Sequence, residues 1–151
     1  MKNQRSKFAK VLIANRGEIA LRAVKTAKKL GLQSVAIYST ADKSSQHVLQ
    51  ADEAICVGPA PSLKSYLAKN AIIHTALSLS CDAIYPGYGF LSENAEFVDL
   101  CEANDIKFIG PAADSIREMG DKSTARKLAV QNNVPVVPGS DDAYESQDQA
   151  L

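Results

Sequence analysis

The chain lacks any excess of charge: Lys plus Arg and Asp plus Glu both total 17. That balance argues against a protein that holds nucleic acid through bulk phosphate attraction. The lack of a long basic run argues against an anionic membrane surface. No apolar run reaches the length of a membrane span. The one after the basic start is only Val11-Leu12-Ile13-Ala14, too short even for the core of a secretion signal. No cysteine pair has CxxC spacing. Cys56, Cys81 and Cys101 are odd in number and far apart, each in or beside an apolar stretch. This predicts buried, reduced thiols and a cytoplasmic setting. His47 and His74 have no partner at zinc spacing, so no metal site is expected, and no Ser/His/Asp or Cys/His nucleophile can be assembled. A Walker A loop is absent, which excludes a P-loop ATPase. GxGxxG is absent from the first strand–helix junction, which disfavours an NAD site.

What the chain has is a core and a rhythm. Hydrophobic residues make up 46% of its 151 positions, enough for one ordinary domain with room for the beginning of another. Strand-like runs are predicted at residues 10–15, 34–39, 53–57, 82–85 and 107–109. Helical patterns fall between them. Residues 17–30 place Ile19, Ala20, Ala23, Val24, Ala27 and Leu30 on one face and Arg22, Lys25, Lys28 and Lys29 on the other, and Gly31 stops the helix. A short helix or turn is predicted over residues 45–51. Further helices are predicted over residues 65–79 and over 93–104, the latter capped at Ser92 or nearby. Strands separated by helices imply an α/β fold with a parallel sheet built from right-handed βαβ units. After Pro111 the pattern changes to two short helices, 114–119 and 123–132, and a brief extended piece around Val134–Gly139. The polar end, residues 140–151, reads as the opening turn of a further helix, the mark of a fragment of something longer.

Three places could carry function. Tyr85-Pro86-Gly87-Tyr88-Gly89-Phe90-Leu91-Ser92-Glu93-Asn94 follows a strand, at the rim where open α/β sheets bind ligands. Gly87 and Gly89 let backbone approach a ligand while Tyr88 is held out as a wall. The same spacing also fits a tight turn with Tyr88 and Phe90 packed in the core. At the first strand–helix junction, Asn15 and Glu18 have the spacing of a capping box. A glutamate there would repel a phosphate from the helix start, and Arg16 is left free to reach across the rim. In Gly120-Asp121-Lys122-Ser123, Lys122 opens a helix after a glycine. There it can either meet a phosphate as a mobile charge or stay solvated. The basic face at Lys25, Lys28 and Lys29 reads as a solvated surface or a partner surface.

Taken in order, the motifs resemble the N-terminal part of biotin carboxylases, the ATP-dependent component of acetyl-CoA carboxylase and related biotin-dependent carboxylases. They are Ile13 to Ala20 (IANRGEIA), His47 to Glu53, Gly58 to Ser62 with Ser65-Tyr66-Leu67, Tyr85 to Asn94, Phe108 to Pro111, Met119 to Lys122, and Val136 to Ser140. The resemblance implies a Rossmann-like pre-ATP-grasp domain over residues 8–111, with residues 112–151 as linker helices and the start of an ATP-grasp domain. It implies that Lys122 contacts ATP phosphates and that Tyr88, with Gly87 and Gly89, lines the biotin pocket. For a whole enzyme it implies ATP, magnesium and biotin as cofactors, and a biotin carboxyl carrier protein and a carboxyltransferase as partners. A homodimer through the helix at 17–30 is an arrangement of some members. Lys25 and Lys29, like charges four apart, disfavour it here. The family's glycine-rich lid, magnesium carboxylates and catalytic residues lie further along than this sequence runs. No catalytic residue is therefore expected here, and the chain alone is expected to be inactive. Two other readings fit the same residues: a free-standing nucleotide-binding module without catalysis, and a truncated product acting by association with intact subunits.

Overall fold

The computed structural model describes residues 8–137. The chain divides into two compact units, Met1–Ala113 and Asp114–Leu151. The first unit is a five-stranded sheet in the order β3-β2-β1-β4-β5, with β1 at Lys10–Ile13, β2 at Gln33–Ser39, β3 at Glu53–Gly58, β4 at Ala83–Tyr85 and β5 at Lys107–Phe108. Every pairing is parallel, with Leu12 opposite Val35 on one side and Ile84 on the other. The chain winds outward from β1 through α1 (Gly17–Lys29) and α2 (Gln46–Gln50). It then crosses back through α3 (Lys69–Ser78) to β4 and continues through α4 (Ala95–Glu102) to β5. The direction of winding reverses between β1 and β4, and open α/β sheets carry their ligands at the carboxyl edge of such a switch point.

Burial explains why these segments fold as they do. The central strands read as continuous apolar runs, and Leu12, Val35, Ala36, Ile37, Ala83 and Ile84 are all fully buried. Each large aliphatic side chain buried there contributes about 1.5–3 kcal/mol. Exposed ion pairs such as Lys69 with Glu96 contribute roughly 0–1 kcal/mol, so packing decides the fold. Helix α1 lays Ala20 and Val24 on Ile13, while Lys25, Lys28 and Lys29 stay exposed, as the helical pattern predicts. Beneath α4, Phe97 meets Phe108 edge to face at 6.2 Å.

Several local expectations are corrected. The helix expected from Ser65 begins only at Lys69, because a short 3-10 turn at Ser62–Lys64 intervenes and the Tyr66 side chain turns into the core. The cap of α4, expected at Ser92 or nearby, is Asn94, whose side chain accepts from the Phe97 N–H at 2.8 Å. Cys56 is exposed rather than buried, because β3 is an edge strand with one side open. Burial pushes the Cys81 thiol up to about 11 and that of Cys101 to about 12, whereas Cys56 faces solvent. A thiol reagent such as a nitrobenzoate disulfide is therefore expected to modify one thiol per native chain quickly and the other two only on unfolding. Rapid reaction of two or more in the native protein would contradict this placement.

The second unit contributes α6 (Lys122–Gln131), preceded by α5 (Ala113–Gly120) from the junction of the units. Asp121 caps α6, accepting from the Thr124 N–H at 2.7 Å, and Arg126 donates to the Val137 carbonyl at 2.6 Å. Residues 134–137 pair with no strand among the described residues. Pro138, Gly139 and the polar segment 140–151, read as the opening of another helix, lie outside the described residues. Among the described residues no helix is long and apolar enough to cross a membrane.

Candidate functional site

The switch point is built from two short segments. One is Asn15 to Ile19, leaving β1 and entering α1. The other is Pro86 to Phe90, leaving β4. Between them lies a cavity of about 450 Å³ lined by Asn15 to Ile19 and by Tyr88, Gly89 and Phe90, within the size range of small-molecule sites. Beside it, along the flank of α1, runs an apolar groove of about 440 Å³ floored by Val11, Ile13, Tyr85 and Ile109. Tyr88 and Ile19 border both spaces.

Tyr88 is 60% exposed, so the alternative in which it packs into the core is excluded. Its phenol donates to Glu18 Oε1 at 3.0 Å, and that carboxylate raises the phenol above the ordinary tyrosine range. Phe90 is half-buried and stacks on Tyr66 with ring centroids 5.1 Å apart. It holds φ +44, a conformation that bulky residues rarely adopt and that gathers at functional loops. Gly87 holds φ +68, and a Cβ there would stand 2.6 Å from Ile19 Cγ2 and 3.0 Å from Asn15 Nδ2. A glycine suits this loop where it passes the side chains of Asn15 and Ile19.

The capping-box reading of Asn15 and Glu18 does not hold. Arg16 is the N-cap of α1, and its side chain makes no capping bond to the helix. The Asn15 side chain, fully buried, turns away instead. Its Nδ2 donates to the Pro86 carbonyl at 2.7 Å and to the Tyr88 carbonyl at 2.9 Å, while its Oδ1 accepts from the Arg16 N–H at 2.8 Å. Glu18 serves Tyr88 rather than the helix start. Nor is Arg16 free. Its guanidinium grips Asp42 through Nε at 2.9 Å and Nη2 at 2.5 Å. Asp42 is buried and also accepts from the Tyr66 phenol at 2.5 Å and from Ser39 Oγ at 3.2 Å. Arg16 and the hydroxyls hold its carboxyl far below the usual carboxylate range. His47 lies nearby, fully buried, with Nε2 3.3 Å from the Ile37 carbonyl, and burial pushes its titration down.

The network around Asp42 was not foreseen. Its members lie up to 50 residues apart in the chain, from Arg16 to Tyr66, and only the 3-10 turn at Thr40–Asp42 brings them together. Asn15 offered one signal that sequence reasoning could have used: a polar residue closing an otherwise apolar strand at a switch point. Lys122 is exposed as the first residue of α6, as expected, with Asp121 beside it at the cap. No cluster of His, Cys, Asp or Glu suited to a metal occurs among the described residues.

An open, doubly wound parallel sheet with an exposed tyrosine at its switch point defines the class: an α/β domain with helices flanking a parallel sheet. Comparison with known proteins then places it. The model of the biotin carboxylase N-terminal domain matches residues 7–116, and the chain belongs to that family. It is 59% identical over 132 residues to the biotin carboxylase of Haemophilus influenzae, covering 87% of this chain and 30% of that protein. It is 57% identical to the alpha subunit of mouse mitochondrial methylcrotonoyl-CoA carboxylase, covering 95% of this chain and 19% of that one. Among solved structures, biotin carboxylase from Campylobacter jejuni in a β-γ-ATP complex superposes with a TM-score of 0.92 at 48% identity, over 95% of this chain and 32% of that one. The biotin carboxylase domain dimer of Hydrogenobacter thermophilus 2-oxoglutarate carboxylase, in complex with MgADP, ADP and bicarbonate, gives 0.90 at 46%, over 95% of this chain and 31% of that one. The chain thus spans about a third or less of the length of these relatives.

Proposed function

We propose that this chain is the N-terminal portion of a biotin carboxylase, an ATP-dependent ligase that carboxylates biotin on a carrier protein. In this reading residues 8–111 present biotin with the wall formed by Tyr88, Gly87 and Gly89. Residues 112–151 lead into an ATP-grasp domain, and Lys122 contacts ATP phosphates. The observation that carries it is the exposed Tyr88 ring at the β1/β4 switch point, beside a cavity of about 450 Å³. An apolar bicyclic ligand can lie on that aromatic face while backbone at the glycines meets its edge. The exposed amine of Lys122 suits a phosphate contact. In this reading magnesium and the groups that clamp a transferring phosphoryl would come from polypeptide beyond the described residues, and the chain alone is expected not to cleave ATP.

The acetyl-CoA carboxylase assignment, with its link to malonyl-CoA and fatty acid synthesis, rests on the motifs. So do the carboxyltransferase and carrier partners, while the cytoplasmic setting rests on the unpaired cysteines. Relatives named as methylcrotonoyl-CoA, urea and 2-oxoglutarate carboxylases match the same region, so the domain alone does not select the acceptor. Joining the chain in frame to the remaining part of the Haemophilus influenzae enzyme provides the test. In that hybrid, Tyr88→Ala is expected to raise KM for biotin roughly tenfold with KM for ATP unchanged, and Lys122→Ala to do the reverse. Equal effects of both changes on both substrates would remove the two residues from these roles.

A further inference from the structure

We propose that Asn15 and Glu18 are positioning residues for Tyr88, and that together they make biotin meet the face of the ring instead of the proton of its hydroxyl. The inference rests on the biotin reading above and adds two residues and a mode of contact to it.

Asn15 is fully buried at the end of β1, and its planar amide is completely used. Its two N–H bonds go to the carbonyls on either side of Gly87, those of Pro86 and Tyr88, and its oxygen accepts from Arg16. The partners dictate which way the amide faces, since two carbonyls need two donors. One rigid group thereby spans the turn that carries Tyr88 and ties it to the neighbouring strand. Ile19 closes the same turn from the side, leaving no room for a Cβ at Gly87. Leucine would fill the space of Asn15 without bonding. Aspartate would set a third oxygen against two carbonyl oxygens and convert both attractions into repulsions.

Glu18 acts on the other end of the residue. Its Oε1 accepts the phenol proton at 3.0 Å, so the Tyr88 hydroxyl's one donor is already used within the protein. A side chain that is 60% exposed is otherwise free to change rotamer. Held at its backbone by Asn15 and at its tip by Glu18, the ring is presented as a fixed wall between the cavity and the apolar groove. Immobilising such a side chain before binding is a factor of about two to ten in affinity.

The test uses the 151-residue chain with ring-labelled tyrosine, followed by NMR. The Tyr88 signals are assigned by their loss in Tyr88→Phe, and biotin is the titrated probe. Glu18→Ala is expected to move the Tyr88 ring signals toward those of free tyrosine and to return the phenol to its ordinary titration. It is also expected to weaken biotin binding about fivefold. Glu18→Gln keeps an acceptor at the same reach and is expected to stay within about twofold of the parent. Asn15→Asp is expected to weaken binding about tenfold or more, because two contacts change sign. Should Asn15→Asp fail to fold, the Glu18 pair decides. Tyr88 signals and titration unchanged in Glu18→Ala overturn the inference. A parent chain whose Tyr88 signals ignore biotin overturns the biotin reading instead, and the ring signals in the biotin-free chain still decide whether Glu18 and Asn15 hold the ring.

Discussion

Replacing Asp42 with alanine is expected to cost about 3–4 kcal/mol and to lower the unfolding midpoint by roughly 10 °C. The reason is what the substitution leaves behind. Asp42 is the shared acceptor for the Arg16 guanidinium, the Tyr66 phenol and the Ser39 hydroxyl, and it is buried. Removing it strands a buried phenol whose remaining bond is the one it accepts from the Ser39 N–H at 2.9 Å. Arg16, half exposed, can recover water, so the phenol carries most of the loss. The damage reaches the rim as well, because Phe90 stacks on Tyr66. The pH dependence follows from the same geometry. The folded carboxyl titrates far below its unfolded value of about 3.9. Its contribution is therefore complete above pH 4 and is lost as pH falls further and the unfolded chain takes up the proton. Urea unfolding at neutral pH and near pH 3 measures both. Asp42→Ala is expected to differ from the parent strongly at the first and by about 1 kcal/mol less at the second, because the folded carboxylate is still ionised there. An equal gap at both would mean that the carboxylate charge contributes nothing.

Gly58→Ala is expected to be at least as disruptive, at about 3 kcal/mol or more. Gly58 ends β3 with φ +154, and a Cβ there would stand 2.0 Å from the Lys64 carbonyl oxygen and 3.3 Å from Ser65 Cα. Both are backbone atoms, so no rotamer change relieves the clash. The turn at Ser62–Lys64 would have to move, and with it Ser65, whose hydroxyl donates to the Pro61 carbonyl, and Tyr66, which reaches Asp42. Thermal unfolding is expected to show a loss comparable to that of Asp42→Ala. The double substitution is expected to cost less than the sum, since both act through Tyr66. Full additivity would show that the turn and the network are independent.

Alternating apolar runs and amphipathic segments made the parallel sheet and α1 legible, because those signals are local and repeat along the chain. The resemblance of the ordered motifs made the family legible. What stayed hidden depends on residues distant in sequence. Asn15 has the spacing of a helix cap, yet the carbonyls of Pro86 and Tyr88, which reach it only in the folded sheet, take its side chain. Tyr66 reads as part of a helix, yet burial of its ring and the bond to Asp42 draw it into the core ahead of α3. Cys56 reads as buried because it follows apolar neighbours, and only the strand order shows that β3 lies at an open edge. The rim was legible in its glycines and tyrosine but not in the two residues that brace it.

Bicarbonate-dependent phosphate release from ATP, measured on the chain alone and on the chain joined to the remaining two-thirds of a relative, bears most directly on the assignment. The expected result is no release from the 151 residues and restored release from the joined protein. Turnover by the isolated chain, or none from a folded hybrid, would contradict it.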